Sequence, residues 1–119
     1  MKLRRDAQDA EDAAARFLAA QGYKIAQRNV ATRFGEIDIV ALDDGMVVFV
    51  EVKSRASDHY GPPEDAVDRR KQQALRRIAQ IYLDQHKLHD IPCRFDVVAL
   101  TRTHGGDDDW HIELFQDAF

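Results

Sequence analysis

Gly35-Glu36-Ile37-Asp38-Ile39-Val40-Ala41-Leu42-Asp43-Asp44-Gly45-Met46-Val47-Val48-Phe49-Val50-Glu51-Val52-Lys53-Ser54-Arg55 reads as two strands folded about a tight turn. Asp44-Gly45 is a favoured two-residue type I′ pair, because both central positions of that turn need positive φ. With this turn, Asp43 faces Met46 and the register runs outward to place Asp38 opposite Glu51 and Glu36 opposite Lys53. Both are non-hydrogen-bonded pairs, in which side chains approach most closely. The two-residue period of a strand puts all four on one face. That face turns apolar toward the turn, at Val40, Val47 and Phe49. The other face, Ile37, Ile39 and Ala41 against Val48, Val50 and Val52, is apolar throughout. Strands apolar on both sides are covered on both sides, so the charges sit at one end of an otherwise covered surface, as in a cleft.

Working outward, Asp6 to Gln21 has helical spacing of Ala10, Ala13, Ala14, Phe17 and Leu18, and Gly22 follows as a C′ stop. Tyr23 to Val30 is predicted as a strand, and the hairpin strands span Phe34 to Leu42 and Met46 to Arg55. Gly61-Pro62-Pro63 breaks regular structure. Glu64 to about Lys87 forms the longest helical pattern, with an apolar stripe of Val67, Leu75, Ile78 and Tyr82. Strands at Arg94 to Thr101 and Trp110 to Phe115 complete the order α-β-β-β-α-β-β. The fold class is α/β, one domain over residues 1–119, with a mixed sheet flanked by helices.

The chain has 119 residues, 45% of them hydrophobic and 32% charged, and a net charge of −4. A core can form without staples, but bulk electrostatic attachment to nucleic acid or an anionic membrane is disfavoured. Contact with nucleic acid then needs a local basic patch or a bound cation. Cys93 is the only cysteine and lacks zinc-type spacing, so it is expected to be buried and inert. No apolar run suggests a signal peptide or membrane span, which leads to an expectation of a cytoplasmic protein.

Two ionised carboxylates about 5 Å apart repel by roughly 3 kcal/mol at an effective dielectric near 20. Lys53 relieves part of the repulsion between Asp38 and Glu51; a divalent cation relieves more. Mg²⁺ (or Mn²⁺) suits such a site because it takes one or two carboxylates and completes its shell with water and phosphate. Lys53 would then stabilise charge on a phosphate or orient the attacking water. The alternative is an exposed Glu36–Lys53 ion pair beside a solvated acidic edge. Glu11, on the stripe of Leu18, and Lys71, on that of Val67 and Leu75, are charged residues at core-facing positions. A cleft would explain both. Otherwise Glu11 is a first-turn acid favoured by the helix dipole and Lys71 snorkels past the core edge.

Gly35-Glu36-Ile37-Asp38, twelve residues, then Glu51-Val52-Lys53 resembles the motif of the PD-(D/E)XK nuclease superfamily. Gly22-Tyr23, Arg28-Asn29, Arg33-Phe34, Ser54-Arg55, Tyr60-Gly61-Pro62, Arg94-Phe95-Asp96-Val97-Val98 and Asp117-Ala118-Phe119 extend the likeness to the bacterial YraN family. The resemblance implies a restriction endonuclease-like fold, with Asp38, Glu51 and Glu11 as metal ligands and Lys53 as the catalytic lysine. Ala10 stands before Glu11 where that family usually has Gly.

Arg69, Arg70, Arg76 and Arg77 form basic stripes on the long helix, either a solvated face or phosphate contacts. His86 and His89 fit a helix C-terminus better than a metal pair, and Asp107-Asp108-Asp109 a solvated turn better than a calcium loop. Trp110, Phe115 and Phe119 are expected in the core or at an interface; His59 and Tyr60, in the loop after the motif, are candidates to border the cleft, with no role fixed by the sequence. The leading functional expectation is a Mg²⁺-dependent nuclease on structured or single-stranded DNA, DNA being favoured over RNA, acting without a membrane and alone, as a homodimer or with a repair partner. The alternatives are a non-catalytic nucleic-acid-binding module and a protein-interaction module.

Overall fold

A computed structural model describes residues 2–55, 67–103 and 110–119. Helix α1 (Lys2–Ala20) leads into β1 (Lys24–Thr32), β2 (Gly35–Asp43) and β3 (Met46–Arg55); α2 (Arg69–Gln85), β4 (Cys93–Arg102) and β5 (Trp110–Phe115) follow. This is the predicted α/β order. The five strands lie in sequence order across one sheet, with β3 and β4 parallel and all other neighbours antiparallel.

The turn chemistry sets the ends of these elements. Gly22, at φ +99°, lets the amides of Gly22 and Tyr23 close back on the carbonyls of Ala19 and Leu18, a paired bond that ends α1. Asp44 and Gly45 have φ of 52° and 80°, as the type I′ turn requires, and Asp43 pairs with Met46. Asp68 accepts a bond from the Lys71 amide at 2.8 Å and so starts α2 at Arg69, later than the expected Glu64. Glu64 to Ala66, like His59, Tyr60, Gly61-Pro62-Pro63 and Asp107-Asp108-Asp109, lie outside the described residues.

Each helix covers one face of the sheet. Leu75, Ile78, Ala79, Tyr82 and Leu83 of α2 pack over Val40, Val47, Phe49, Phe95 and Val97. Ala10, Ala13, Ala14 and Leu18 of α1 pack over Ile39, Ala41, Val48, Val50, Val98 and Leu100. Ile37 departs from the predicted face: it lies under α2, whereas Ile39 lies under α1. Side-chain alternation therefore breaks at Asp38. Its β1 neighbour Asn29 has φ 54°, and neither residue takes part in the β1–β2 ladder, which continues on both sides of them.

Cys93 is exposed at the start of β4, contrary to the expectation of burial. Trp110 is half-buried beneath the Arg102 guanidinium at 4.1 Å, and Phe119 stacks on Phe95 at 5.0 Å. Among the described residues no helix is long and apolar enough to cross a membrane.

A buried network closes the turn end of the sheet. Asp96 of β4 is 0% exposed and accepts bonds from both Arg94 Nε (2.8 Å) and Nη2 (2.9 Å), the Tyr23 hydroxyl (2.8 Å) and the Asp117 amide (2.9 Å). Arg94 also reaches Asp43 at 3.0 Å, and Gln116 donates to the Tyr23 hydroxyl at 2.8 Å.

Candidate active site

The predicted register between β2 and β3 holds from the turn out to Ile39–Val50 and ends there. Beyond it β2 stays with β1 as far as Gly35, while β3 stays with β4 as far as Arg55. The sheet forks. Neither Asp38–Glu51 nor Glu36–Lys53 forms a ladder pair, which corrects the expected geometry. Opening the fork would leave the Val52 amide without a strand partner, and a buried amide needs one. Asp38 Oδ2 accepts it at 2.8 Å. The Asp38 carboxylate thus replaces a backbone carbonyl at the branch point.

This placement lets Asp38 meet acids from both sides of the sheet. Toward α1, Asp38, Glu36 and Glu11 bring one carboxylate oxygen each within 4.8 Å of one another. Toward α2, Asp38 faces the charge of Glu51, which is only 7% exposed, and Lys71 Nζ lies 3.3 Å from Glu51 Oε1. Glu51 Oε2 is buried without a hydrogen-bond partner. Lys53 lies against Lys71, facing Glu51 and Asp38. Among the described residues no Glu36–Lys53 ion pair forms, so the simple surface-pair alternative does not describe this site. The group stands at the carboxyl end of β3, beside the start of α2, where α/β sheets commonly bind ligands.

Glu11 is not a first-turn acid, because α1 begins at Lys2. Its side chain, 13% exposed, is held by Arg28 of β1 at 3.1 Å, and Arg28 also grips Asp12 at 2.7 Å. Arg28 is the residue that sequence reasoning missed here. Its one legible signal was a place in the quoted likeness, without a role.

Burial and then the Glu51 charge raise the Asp38 carboxyl to about 7, against the weaker opposing bond from Val52. Burial raises Glu36 as well, helped by Asp38 and Glu11. Burial pushes Lys53 down, and the neighbouring Lys71 adds to the effect. Lys71 is itself penalised by burial, but the Lys53 amine and the Glu51 carboxylate together hold it up. Of the two amines, Lys53 is therefore the one that gives up its proton more readily.

A pH dependence follows. Asp38 is raised in the folded protein, so between about pH 4 and about pH 7 the folded chain holds a proton that the unfolded chain has lost. Its contribution to stability is complete below the unfolded value and disappears as pH rises through about 7. In chelator, thermal melts should show wild type losing stability relative to Asp38→Asn between about pH 4.5 and about pH 7. Asp38→Asn should be the more stable protein at the higher pH. A constant difference between the two across this range would refute the raised carboxyl.

The four arginines of α2 divide. Arg76 lies over the rings of Phe95 (5.1 Å) and Phe119 (5.7 Å), and Arg77 over Phe34 (4.8 Å). Arg69 and Arg70 are exposed at the helix start. His86 stacks on Tyr82 and its Nδ1–H donates to the Tyr82 carbonyl, while His89 pairs with Asp84 at 3.1 Å; the two do not form a metal pair.

Residues 10–100 match the family model described as uncharacterised protein family UPF0102. A UPF0102 protein of Symbiobacterium thermophilum is 47% identical over 98% of this chain and 97% of its own length. Others from Syntrophus aciditrophicus (47%, covering 92% and 84%) and Moorella thermoacetica (48%, covering 84% and 83%) are similar along most of both chains.

Proposed function

The chain belongs to the UPF0102 family, which lies in the restriction endonuclease-like superfamily, and from that premise we propose that it is a divalent-metal-dependent nuclease hydrolysing phosphodiester bonds in DNA. The observation that carries this reading is the forked hairpin, with Asp38 at its branch and acids and amines gathered around it. The residues fit a hard cation: Glu11, Glu36 and Asp38 offer three converging oxygens, and Glu51 keeps a buried oxygen without a partner. A structural ion-pair network would have no use for that orphaned atom, whose burial is costly.

Asp38, Glu51 and Glu11 would hold Mg²⁺ or Mn²⁺, with Glu36 as the additional acid. The bound ion would polarise a phosphoryl oxygen and make a water more acidic. Lys53, held beside Glu51 with its charge disfavoured by burial, orients that water or neutralises charge on the phosphate. Lys71 fixes Glu51 and shares charge with Lys53. Arg69 and Arg70, exposed at the start of α2, supply phosphate contacts to a chain that is acidic in total.

Calorimetry with Mg²⁺ and Mn²⁺ should show binding to wild type that Asp38→Asn weakens beyond the roughly 10- to 100-fold cost of losing an outer-shell partner. The same metals should then support cleavage within a panel of junction, flap, single-stranded and duplex DNA. Equal metal affinity in the two proteins would remove the site. Metal binding without cleavage of any substrate would leave a binding module.

A further inference from the structure

A second feature lies one or two residues away from the acid–lysine site along two segments at once. Phe34 precedes Gly35-Glu36 in the turn between β1 and β2, and Arg70 precedes Lys71 on α2. Between them opens a pocket of about 400 Å³ lined by Phe34, Arg70, Gln73, Ala74 and Arg77. The four α2 residues follow i, i+3, i+4, i+7 spacing and form one stripe. Ala74, the short member, leaves the hollow between longer neighbours.

The pocket is cationic by construction. Arg33 and Arg77 each place a guanidinium 4.8 Å from the centre of the Phe34 ring. Among the described residues Arg33, Arg70 and Arg77 form no ion pair, although acids outnumber bases in the chain, 21 to 17. The aromatic ring fixes the orientation of these guanidiniums without neutralising them. Planar guanidiniums offer paired donors to phosphate and a flat face to a base. The volume lies in the range of small-ligand sites. A regular duplex presents phosphates on a convex surface and keeps its bases inside the stack, so it does not fill such a hollow.

We propose that Arg33, Phe34, Arg70, Gln73 and Arg77 form a subsite for an unpaired nucleotide of a nucleic-acid strand, its phosphates on Arg70 and Arg77, next to the cleft. Gln73 is placed to hydrogen-bond the base or sugar. The subsite deepens the nuclease reading by naming the substrate: a strand with at least one unstacked nucleotide beside the bond that is cut. It rests on that reading for the neighbouring chemistry, and its test is a binding measurement that cleavage does not enter.

The test is fluorescence anisotropy in chelator at low salt, with labelled oligo-dT, a blunt duplex of equal length, and thymidine monophosphate as competitor. Wild type should bind the single strand at least about tenfold more tightly than the duplex, in line with stacking gains per base. Arg70→Gln with Arg77→Gln should lose at least about tenfold in single-strand affinity. The same double variant should lower the salt slope by about 1.4, near 0.7 for each phosphate contact. Lys24→Gln, a surface control on β1, should bind as wild type does. Equal affinity for duplex and single strand, or an unchanged double variant, would overturn the subsite. Displacement by the free monophosphate at equal phosphate concentration would overturn the strand in favour of a small nucleotide. A protein that binds single strands as described but cuts nothing would retain the subsite and lose the nuclease reading.

Discussion

Lys53→Met is expected to lower the cleavage rate by about 10²- to 10³-fold, the range seen when one preorganised donor to a reacting oxyanion is removed. Metal affinity and DNA affinity should change little, because Lys53 is not a carboxylate ligand and lies apart from the basic stripe of α2. The reason is differential: only an interaction stronger in the transition state than in the ground state sets the chemical rate. The structure sharpens the expectation. Lys53 does not pair with Glu36, and its closest ionic neighbours are Lys71, Glu51 and Asp38. Methionine retains the aliphatic stem and removes the amine, so the loss reports the nitrogen rather than packing. Single-turnover assays with saturating metal, beside calorimetric titration of the same variant, make the separation. Cleavage at the wild-type rate would remove Lys53 from the chemistry. A parallel loss of metal binding would instead make it a support of Glu51.

What the sequence made legible follows from local rules. Asp44-Gly45 dictates a turn whose φ values admit few other residues, and from the turn the register to Ile39–Val50 follows by counting. The helical stripes through Ala10, Ala14 and Leu18 and through Leu75, Ile78 and Tyr82 are equally direct, since burial enforces their period. Counting failed where the ladder stops. Nothing in a two-residue period says that β2 leaves β3 after Ile39, because the end of one ladder depends on how far each strand stays with its other neighbour, β1 or β4. The phase change that moves Ile37 under α2 falls at the same place, opposite Asn29 at positive φ, and a strict two-residue period does not foresee it. The acids were identified by type and spacing. Their grouping, with Glu36 beside Glu11 rather than Lys53, needed the three-dimensional fork.

The Asp96 network was the least legible feature, because Phe95-Asp96-Val97-Val98 reads simply as an apolar strand with one interruption. Its physical content yields the largest expected effect on stability. Asp96→Ala removes the acceptor of four hydrogen bonds at a fully buried position. Arg94 keeps Asp43, but the Tyr23 hydroxyl and the Asp117 amide lose an acceptor in the interior. Breaking a buried pair from one side costs about 3–5 kcal/mol, because the remaining charge stays desolvated. That is a fifth or more of the roughly 5–15 kcal/mol available to a domain. Tyr23→Phe, which removes one donor to Asp96 and the acceptor of Arg94 and Gln116 but leaves the ion pair intact, should cost less, about 1–2 kcal/mol. Urea titration should therefore show the midpoint of Asp96→Ala falling by about 1–5 M at a slope of about 1–3 kcal/mol/M. The network joins Tyr23, Asp43, Arg94 and Asp117 at the turn end of the sheet, whereas the fork opens at its other end. Below the unfolding transition, Asp96→Ala should accordingly retain the metal affinity of wild type. A cost under about 1 kcal/mol would show that water or local relaxation replaces the lost acceptor. Loss of metal binding in still-folded protein would show that the two ends of the sheet are coupled.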